Sequence, residues 1–285
     1  MNILVVGGKG FIGTAFVRYA QAQGHRTCVI GSDCDIFSSE GELFVRKKIT
    51  ECDAMVFLAA KRHFDKFDVN DYTYNVRLAE RYIHVAYEVG LKNICLASSR
   101  SVYSGDNTPW KESYFESPLS LYGASKQAVD SIALLYKAKY GMNIKSLRLA
   151  QVIGLGEHKG YLLNTWMENA LQKKKLTVYG KGKGKRQYIY LTDVCDAFLH
   201  CVDKCSDQGG VYNIGMPYNV SIIKLAEIIN NIFGNDAGVE TIQSLDEDKK
   251  VYMMDVSKAE NELGWKASFD VESCMEDIKR RCDSL

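Results

Sequence analysis

The sequence predicts an α/β fold built on a doubly wound parallel sheet, and two features of the first 150 residues support this prediction. Short apolar runs alternate with amphipathic stretches of helical length, and the first run leads directly into a glycine-rich turn. Apolar runs of about four to seven residues fit strands that are covered on both faces. Repeated strand–helix units connect by right-handed crossovers, which place helices on both faces of the sheet. The predicted strands are Ile3–Val6, Thr27–Ile30, Ala54–Ala60, Asn93–Ser98 and Ile144–Leu149.

A long helix is predicted to follow the fourth strand, and the pattern loosens beyond residue 150. A Ser117-Pro118 pair, which is a capping residue followed by proline, indicates that this helix starts there and runs to about Tyr140. Gly141 then ends it, since glycine readily adopts the left-handed conformation that closes a helix. The later predicted elements are a helix near Leu163–Gln172, a strand near Gln187–Leu191 and a helix from Thr192 that return to the sheet, a helix over Ser221–Phe233, and a final helix from about Val271.

The glycine-rich turn after the first strand predicts a phosphate-binding site. Gly7 permits the tight turn, Gly10 removes a Cβ from the path of a ligand, and Gly13 lets helix and strand pack closely. The helix N-terminus offers free N–H groups and a positive dipole to the phosphates. A glycine-rich turn without a ligand is the alternative. We predict a Rossmann-type dinucleotide-binding domain whose pyrophosphate contacts are Gly7, Gly10, Phe11, Ile12 and Gly13.

The chain is expected to consist of this domain and a smaller C-terminal substrate-binding lobe. No internal repeat or low-complexity linker separates the two parts, so the lobe is expected to be woven from non-contiguous segments. The dinucleotide-binding domain is predicted to comprise residues 1–153 and about 187–212. The substrate-binding lobe is predicted to comprise residues about 154–186 and 213–285.

Composition excludes several classes of partner. Lys and Arg number 36 against 35 Asp and Glu, so nothing favours nucleic acid as a partner. The nine cysteines include no CxxC pair and are expected to be free thiols in a reducing cytosol. The group His200, Cys201 and Cys205 is better explained by burial than by a metal, and no metal site is predicted. No apolar stretch approaches the ~20 residues that cross a bilayer, and a strand-like run follows Met1-Asn2 at once, so a soluble cytoplasmic protein is expected.

The end of the second strand lacks the acidic residue that normally binds the adenosine ribose of a dinucleotide. Gly31 stands there, followed by Ser32 and Asp33. Without the carboxylate, the repulsion that excludes a 2′-phosphate is removed, and Ser32 is placed to hydrogen-bond such a group. The cofactor is therefore NAD or NADP, with only a slight preference for NADP because no arginine stands beside Gly31.

Tyr122 and Lys126 are candidates for acid–base chemistry. They lie four residues apart near the start of the predicted helix, hence on one face of it. A phenol with a pKa of ~10 is a poor catalyst at neutral pH, but a neighbouring ammonium and an oxidised nicotinamide both favour the phenolate. Ser99 follows the fourth strand at the edge where parallel sheets bind ligands, so its hydroxyl is placed to bond the reacting oxygen. The same Tyr–Lys spacing also occurs on ordinary helix surfaces.

These motifs resemble the extended short-chain dehydrogenase/reductase family of nucleotide-sugar epimerases, dehydratases and reductases over nearly the full length. The resemblance implies that Ser99, Tyr122 and Lys126 are catalytic and that the last two also contact the cofactor. Asn75 matches a structural asparagine of that family. The other matching segments are Leu58, Ala59 and Ala60 beneath the cofactor, Arg186–Val194, Val211–Gly215 and Ser257–Trp265.

Departures from the family pattern narrow the expected reaction. Gly31 replaces the ribose-binding acid. Because the second and third strands are closely spaced, the resemblance implies that Asp35 and Ile36 contact the adenine, as in compact sugar reductases of the family. Arg100 and Ser101 stand where 4,6-dehydratases carry the Asp–Glu pair that eliminates water, so dehydration is disfavoured. The remaining reactions are 4-epimerisation and reduction of a 4-keto sugar. The alternative is a non-catalytic dinucleotide sensor or scaffold on the same fold.

The expected substrate is a nucleoside diphosphate sugar, whose two negative charges call for a guanidinium. The resemblance and its place beside a glycine-rich loop make Arg186 the candidate. Lys61 and Arg62 either line the sugar pocket or are surface charge. His158 either acts as an extra general acid or is an ordinary loop histidine. The resemblance also places Asn164 near the sugar and Val178 near the base.

The resemblance further implies a homodimer. Two long helices, near Tyr72–Val89 and Pro118–Tyr140, are expected to form a four-helix contact with a second copy. Such a contact requires partly exposed apolar faces on both helices.

Overall fold

A computed structural model describes residues 1–62, 67–157, 160–203, 209–243 and 249–283. Within these ranges no helix has both the length and the apolar character needed to cross a membrane. The strands are β1 Asn2–Val6, β2 Arg26–Ile30, β3 Ala54–Phe57, β4 Asn93–Ser99, β5 Asn143–Leu149, β6 Gln151–Ile153, β7 Leu176–Tyr179, β8 Lys185–Tyr190, β9 Gly210–Ile214, β10 Asn219–Ser221 and β11 Val239–Ile242. The α-helices are α1 Phe11–Ala22, α2 Ser39–Thr50, α3 Val69–Glu88, α4 Leu121–Tyr140, α5 Leu162–Leu171, α6 Leu191–Asp203, α7 Ile222–Ile232 and α8 Val271–Cys282.

The central sheet is covered on both faces, which confirms the predicted doubly wound fold. Its six strands lie in the order β2-β1-β3-β4-β5-β9, and every neighbouring pair is parallel. In β1, Ile3 and Val5 belong to one apolar cluster, whereas Leu4 and Val6 belong to another. Helices α1 and α6 contribute to the first cluster, and α2, α3 and α4 contribute to the second. Because alternate side chains of a strand point to opposite faces, a strand buried on both sides is apolar throughout.

The strand order reverses between β1 and β3, and a crevice forms where their carboxyl ends separate. The prediction that the third strand reaches Ala60 is wrong, because β3 ends at Phe57. The turn after β1 lies against the segment 58–60: a Cβ on Gly7 would come within 2.8 Å of the Ala59 nitrogen. The last apolar residues of the run therefore border the crevice instead of extending the sheet.

The C-terminal elements surround a third apolar cluster, formed mainly by α5, α7, α8 and strands β7 and β8. Strand β8 does not return to the central sheet as predicted, since it pairs with β6 and β10. The edge place beside β5 is taken by β9, which Gly209 brings close enough that a Cβ there would lie 2.7 Å from the Ile144 oxygen. Helix α6 does return, with Phe16 and Phe198 in edge contact at 6.1 Å. The division into two domains stays a prediction.

Helix α4 begins after Ser120 rather than after Ser117, and it ends at Gly141 as predicted. The Ser120 hydroxyl accepts a hydrogen bond from Gly123 N at 3.0 Å and caps the helix. Ser117 is held outside the helix because its N–H donates to the Val102 carbonyl at 3.1 Å.

A buried charged cluster fastens α4 to β5. Arg148 on β5 is 1 % exposed and donates from Nε to Asp130 Oδ2 at 2.8 Å. Its other nitrogens bond the Tyr103 hydroxyl and the Glu116 carboxylate. Asp130 also accepts from the Ser146 hydroxyl at 2.5 Å. A buried ion pair of this kind depends on every partner, since removal of one leaves an uncompensated charge.

Replacing Asp130 by Asn is expected to lower the free energy of unfolding by about 3 kcal/mol, because an amide cannot accept from both Arg148 and Ser146. Chemical denaturation measures this loss. The matched control is Asp33→Asn, which breaks an ion pair with Lys9 whose partners are 65 % and 70 % exposed. That change is expected to be small, as for most exposed pairs. Equal effects of the two substitutions would contradict the assignment of a structural role to the buried cluster.

Candidate active site

A cavity of about 630 Å³ opens at the carboxyl ends of β1, β3, β4 and β5. This is the edge at which parallel sheets bind ligands, and the volume is in the usual range for a small-molecule site. Many of the residues predicted from sequence meet here. Those that line the cavity are Gly7, Gly10, Phe11, Ile12, Gly13, Leu58, Ala60, Lys61, Ser99, Tyr122 and Lys126.

The glycine turn has the geometry that its three positions predict. Gly7 has a φ of +83°, which side-chain-bearing residues rarely adopt. A Cβ on Gly13 would lie 2.2 Å from the Gly7 oxygen, whereas a Cβ on Gly10 would meet only that oxygen, at 3.4 Å. No side chain caps the start of α1, and its first turn contains no acidic residue. The positive end of the helix therefore faces the cavity without a neutralising group of its own.

Ser99 and Tyr122 are brought together by the contact between the end of β4 and the start of α4. Ser99 begins a 3₁₀ turn over Arg100–Val102, and its Oγ accepts from Ser101 N at 3.1 Å. Helix α4 lies directly against this turn, because a Cβ on Gly123 would come within 2.2 Å of the Ser101 oxygen. The Tyr122 hydroxyl, one residue before that glycine, forms a hydrogen bond with the Ser99 side chain.

Lys126 is buried beneath Tyr122. Its Nζ donates to the Ala97 carbonyl at 2.6 Å and lies 5.7 Å from the centre of the Tyr122 ring. Burial lowers the pKa of Lys126 from its ordinary 10.5 to about 8; the charge of Asp130 opposes this shift and that of Arg62 adds to it. Near neutral pH the amine can therefore lose or regain its proton with little change in free energy.

Burial acts on Tyr122 in the opposite direction and raises the pKa of its phenol, while the charge of Arg62 and the bond with Ser99 oppose the increase. The lowered pKa expected from sequence included the charge of an oxidised nicotinamide. In the protein alone, burial outweighs the charges and the phenol is neutral at physiological pH.

Among the described residues, Arg62 and Arg100 are the arginines that line this cavity, and only Arg62 was considered as a substrate contact from sequence. Arg62 follows β3, lies 4.0 Å from Glu157 Oε1 and covers the ring of Tyr161 at 5.3 Å. Arg100 lines the cavity directly after Ser99 and lies over the ring of Tyr252 at 4.6 Å. The position of Arg100 at the carboxyl end of a predicted parallel strand was the sequence feature that could have identified it as a cavity residue.

Asn75 has the structural role that was expected of it. Its Oδ1 accepts from Lys61 N at 2.7 Å and its Nδ2 donates to the Lys61 carbonyl at 2.9 Å, so it holds that segment of backbone from both sides. The Lys61 side chain lies 4.4 Å over the ring of Tyr74, with its Nζ 3.6 Å from Asp71. The segment after β3 is thereby fixed beside the cavity.

Four of the predicted cofactor-binding residues do not line the cavity. They are Ser32, Asp35, Ile36 and Ala59. Ser32 and Asp35 are exposed and Ile36 is buried in the loop after β2. Beside them, Lys9 from the glycine turn pairs with Asp33 at 2.9 Å, and a Cβ on Gly31 would meet both side chains.

The predicted substrate residues of the C-terminal part are dispersed. Arg186 donates to the carbonyls of Lys185 and Lys250 at 3.1 and 3.0 Å and lies 4.3 Å over the Tyr252 ring. The Val178 side chain is buried in the third apolar cluster, and its strand pairs with β11. Asn164 Nδ2 donates to the Glu157 carbonyl at 3.3 Å. His158 lies outside the described residues.

No group of three or more His, Cys, Asp or Glu is arranged to hold a metal within the part of the chain that the structure describes. One ring nitrogen of His200, Nε2, lies 2.8 Å from the Leu263 carbonyl. Cys201 is buried, and Cys205 lies outside the described residues.

The parallel sheet and the glycine turn at its order reversal define a Rossmann-type α/β protein. The chain belongs to the NAD dependent epimerase/dehydratase family, whose model matches residues 3–215. This confirms the resemblance drawn from the sequence motifs.

Relatives within the family carry out different reactions. The chain is 28% identical over 292 residues to UDP-glucuronic acid decarboxylase 6 of Arabidopsis thaliana, covering 93% of this chain and 84% of that protein. It is 27% identical to the crystal structure of UDP-N-acetylglucosamine 4-epimerase from Bacillus cereus, with a TM-score of 0.89 and coverage of 100% and 97%. A dTDP-glucose 4,6-dehydratase from Bacillus anthracis, in complex with NAD, is 23% identical, with a TM-score of 0.82 and coverage of 100% and 97%, which shows a shared fold alone. Since the first two of these names denote two different reactions, the reaction of this chain depends on its own site.

Replacing Lys126 by Met is expected to change how stability depends on pH. The unfolded chain binds a proton at Lys126 up to its ordinary pKa of 10.5, whereas the folded chain loses it near 8. Between these values the unfolded state binds more protons, so the wild type gains stability as pH rises. From about pH 7.5 to about 9.5 it should gain ~2 kcal/mol relative to Lys126→Met, measured by denaturation without nucleotide. Lys139→Met, an exposed change on the same helix, should follow the wild type. Parallel curves for Lys126→Met and wild type would contradict the burial of an ionisable amine.

Proposed function

We propose that the protein is an NAD(P)-dependent enzyme that epimerises a nucleotide sugar at C4 or reduces its 4-keto form. The observation that carries this proposal is the Ser99–Tyr122 hydrogen bond above buried Lys126, in the same cavity as the glycine turn. A proton-transferring group and a dinucleotide cradle in one cavity are what hydride exchange at a sugar hydroxyl requires. The names of the relatives support a nucleotide sugar as substrate.

Two observations fit a nicotinamide dinucleotide. Gly10 leaves space before the start of α1, whose N–H groups suit a pyrophosphate. The buried Ser98 Oγ, at the end of β4, has no hydrogen-bond partner among the described residues, as expected of a group that a ligand satisfies. When bound, the dinucleotide supplies hydride transfer to and from the sugar. The residues that would hold it are Gly7, Gly10–Gly13, Leu58–Ala60, Tyr122 and Lys126, with Ser32, Asp35 and Ile36 at the adenosine end.

The proton is handled by Tyr122. Its phenolate takes the proton of the sugar hydroxyl during oxidation, and the neutral phenol so formed returns one during reduction, while the Ser99 hydroxyl bonds the same oxygen. Lys126, whose pKa is near 8, supplies positive charge beneath the phenol when protonated and thereby stabilises the phenolate. Burial excludes water from the exchange, so the proton moves between defined partners.

The arrangement after Ser99 disfavours elimination of water. Dehydration needs an acid and a base beside the reacting carbons, and Arg100 and Ser101 offer neither at neutral pH. Arg186 is proposed to bind the diphosphate, which a guanidinium suits. Lys61 and Asn164 are proposed to contact the sugar, and the backbone of Val178 the base.

Epimerisation and reduction differ in the fate of the dinucleotide. An epimerase recovers its hydride and retains the cofactor, whereas a reductase must release it after each turnover. The end of β2 does not favour either candidate, because the Asp33 carboxylate beside Gly31 would repel a 2′-phosphate and pairs with Lys9, the cation that would attract one. NAD retained through purification would support an epimerase. A protein isolated without cofactor that is stabilised by NADPH but not by NADH would support a reductase.

We also propose that the chain forms a homodimer through α3 and α4, which pack on each other. Leu134 and Leu135 on α4 are 44% and 65% exposed, and Tyr87 on α3 is 40% exposed. Exposed apolar groups on two adjoining helices suit a symmetric contact. A cytoplasmic location remains a prediction.

Tyr122→Phe is expected to reduce turnover of a nucleotide sugar by about 10³-fold or more while the variant still binds dinucleotide and sugar, since only the transferable proton is lost. Steady-state kinetics and titration calorimetry measure the two effects. Tyr179→Phe, an exposed change on β7, serves as the control and should be unaffected. Undiminished turnover in Tyr122→Phe would rule out this mechanism. Absence of turnover in the wild type, with dinucleotide bound, would favour the sensor or scaffold alternative.

Gly10→Ala and Gly13→Ala are expected to separate binding from folding. The added methyl of Gly10→Ala would make only an ordinary contact with the Gly7 oxygen at 3.4 Å. The free energy of unfolding should therefore change by about 1 kcal/mol or less, but stabilisation by dinucleotide should be lost. The methyl of Gly13→Ala would clash with backbone at 2.2 Å, so that variant should be destabilised even without ligand. Thermal melts with and without NAD(P)H measure both. Unchanged stabilisation of Gly10→Ala would place the pyrophosphate elsewhere.

A further inference from the structure

Two guanidinium groups share the ring of Tyr252. The Cζ of Arg100 lies 4.6 Å from the ring centre and the Cζ of Arg186 lies 4.3 Å from it. The chain separates these arginines widely, since Arg100 follows β4 and Arg186 lies in β8. Each guanidinium gains from the face of the aromatic ring, but their like charges repel each other.

No carboxylate of the described residues lies within ion-pair distance of Arg100. The groups that act on its charge are the guanidiniums of Arg186 and Arg62 and the phenols of Tyr252 and Tyr188, and burial with the charge of Arg186 lowers the pKa of Arg100. Arg148, an arginine with a structural role, differs in this respect, because its buried side chain forms ion pairs with two carboxylates. A largely buried cation without such a partner indicates a place where an anion binds.

The diphosphate of the proposed substrate does not account for Arg100. Arg186, from the C-terminal part of the chain, is the proposed diphosphate ligand. Arg100 instead follows Ser99 directly, and Ser99 bonds the Tyr122 hydroxyl at the reacting centre. Because Arg100 directly follows Ser99, its guanidinium belongs to the sugar end of the cavity. Because both arginines lie over the ring of Tyr252, it also lies near Arg186.

We propose that Arg100 recognises a carboxylate on the sugar itself, so that the substrate is an acidic nucleotide sugar of the uronic acid type. This inference rests on the proposed function and names the substrate class of the same site. A uronic acid carries its carboxylate on C5, next to C4, at which Ser99 and Tyr122 are proposed to act. A planar guanidinium binds a carboxylate through two parallel hydrogen bonds, which fixes the ring as well as attracting its charge.

The test compares three ligands that share one nucleotide: UDP, UDP-glucose and UDP-glucuronate. Titration calorimetry is carried out on the full chain with its dinucleotide present, and the series is repeated with dTDP sugars. The last two ligands differ only in the group on C5, so the wild type is expected to bind UDP-glucuronate about ten-fold or more tightly than UDP-glucose. Arg100→Met should lose that preference through weaker binding of UDP-glucuronate alone.

Further variants distinguish this role from the others. Arg186→Met should reduce the affinity for all three ligands by a similar factor, because all three contain the diphosphate. Arg18→Met, an exposed change on α1 outside the cavity, should alter none of them. Arg100→Lys keeps the charge but loses the planar fork, so an intermediate preference is expected, and it serves if Arg100→Met folds poorly by circular dichroism.

Two results would overturn the inference while leaving the proposed function intact. One is equal affinity of the wild type for UDP-glucose and UDP-glucuronate. The other is an Arg100→Met variant that binds UDP and UDP-glucose more weakly by the same factor as UDP-glucuronate, which would make Arg100 a diphosphate ligand. Failure of every nucleotide and nucleotide sugar to bind the wild type would instead contradict the proposed function.

Discussion

The close contact between the first turn of α4 and the end of β4 is the constraint on which the site depends. Gly123 permits it, since any side chain there would meet the Ser101 carbonyl at 2.2 Å. The bond from Lys126 Nζ to the Ala97 carbonyl fastens the next turn of the helix to the same strand. Two attachments one turn apart fix both the distance and the rotation of the helix, so Tyr122 has little freedom except to face Ser99. The catalytic geometry proposed here is thus a consequence of backbone packing as much as of the side chains themselves.

Burial is what makes the Tyr–Lys pair chemically useful. In water, the ordinary pKa values of a phenol and an amine lie close together and both far above neutrality. Inside the cavity, burial favours the neutral form of each group, raising the pKa of Tyr122 and lowering that of Lys126 to about 8. The lysine thereby comes close to neutrality, and a charge brought into the cavity will act strongly on both groups because little water screens it. Asp130 opposes the loss of the lysine's charge. That same carboxylate is bound by Arg148 and Ser146, so the site and the buried cluster between α4 and β5 share one residue.

The parts that sequence predicted well are those in which function requires local spacing. The glycines at 7, 10 and 13 belong to one turn, and Tyr122 and Lys126 belong to one helical face, so their arrangement follows from backbone periodicity. The parts it could not predict depend on distant partners. The buried Tyr188–Tyr190 of β8 would suit a strand in either sheet, and only the observed pairing of β5 with β9 shows that β9 takes the edge. The pairing of Arg100 with Arg186 across Tyr252 joins three segments of the chain, and no spacing rule connects them.

The position after Ser99 shows how one side chain can choose among the reactions of a shared framework. A carboxyl group there can exchange a proton near neutral pH, and it repels an anionic substrate. A guanidinium has the opposite properties: it keeps its proton in proteins and attracts an anion. In the proposed mechanism, Arg100 therefore provides charge selectivity at this position instead of acid–base chemistry, which is left to Tyr122 and Lys126. Because the cation is anchored on the ring of Tyr252 rather than on a carboxylate, its charge is available to a ligand without first breaking an ion pair. The proposed reaction, which is limited to hydride and proton exchange at one carbon, needs no acid or base at this position.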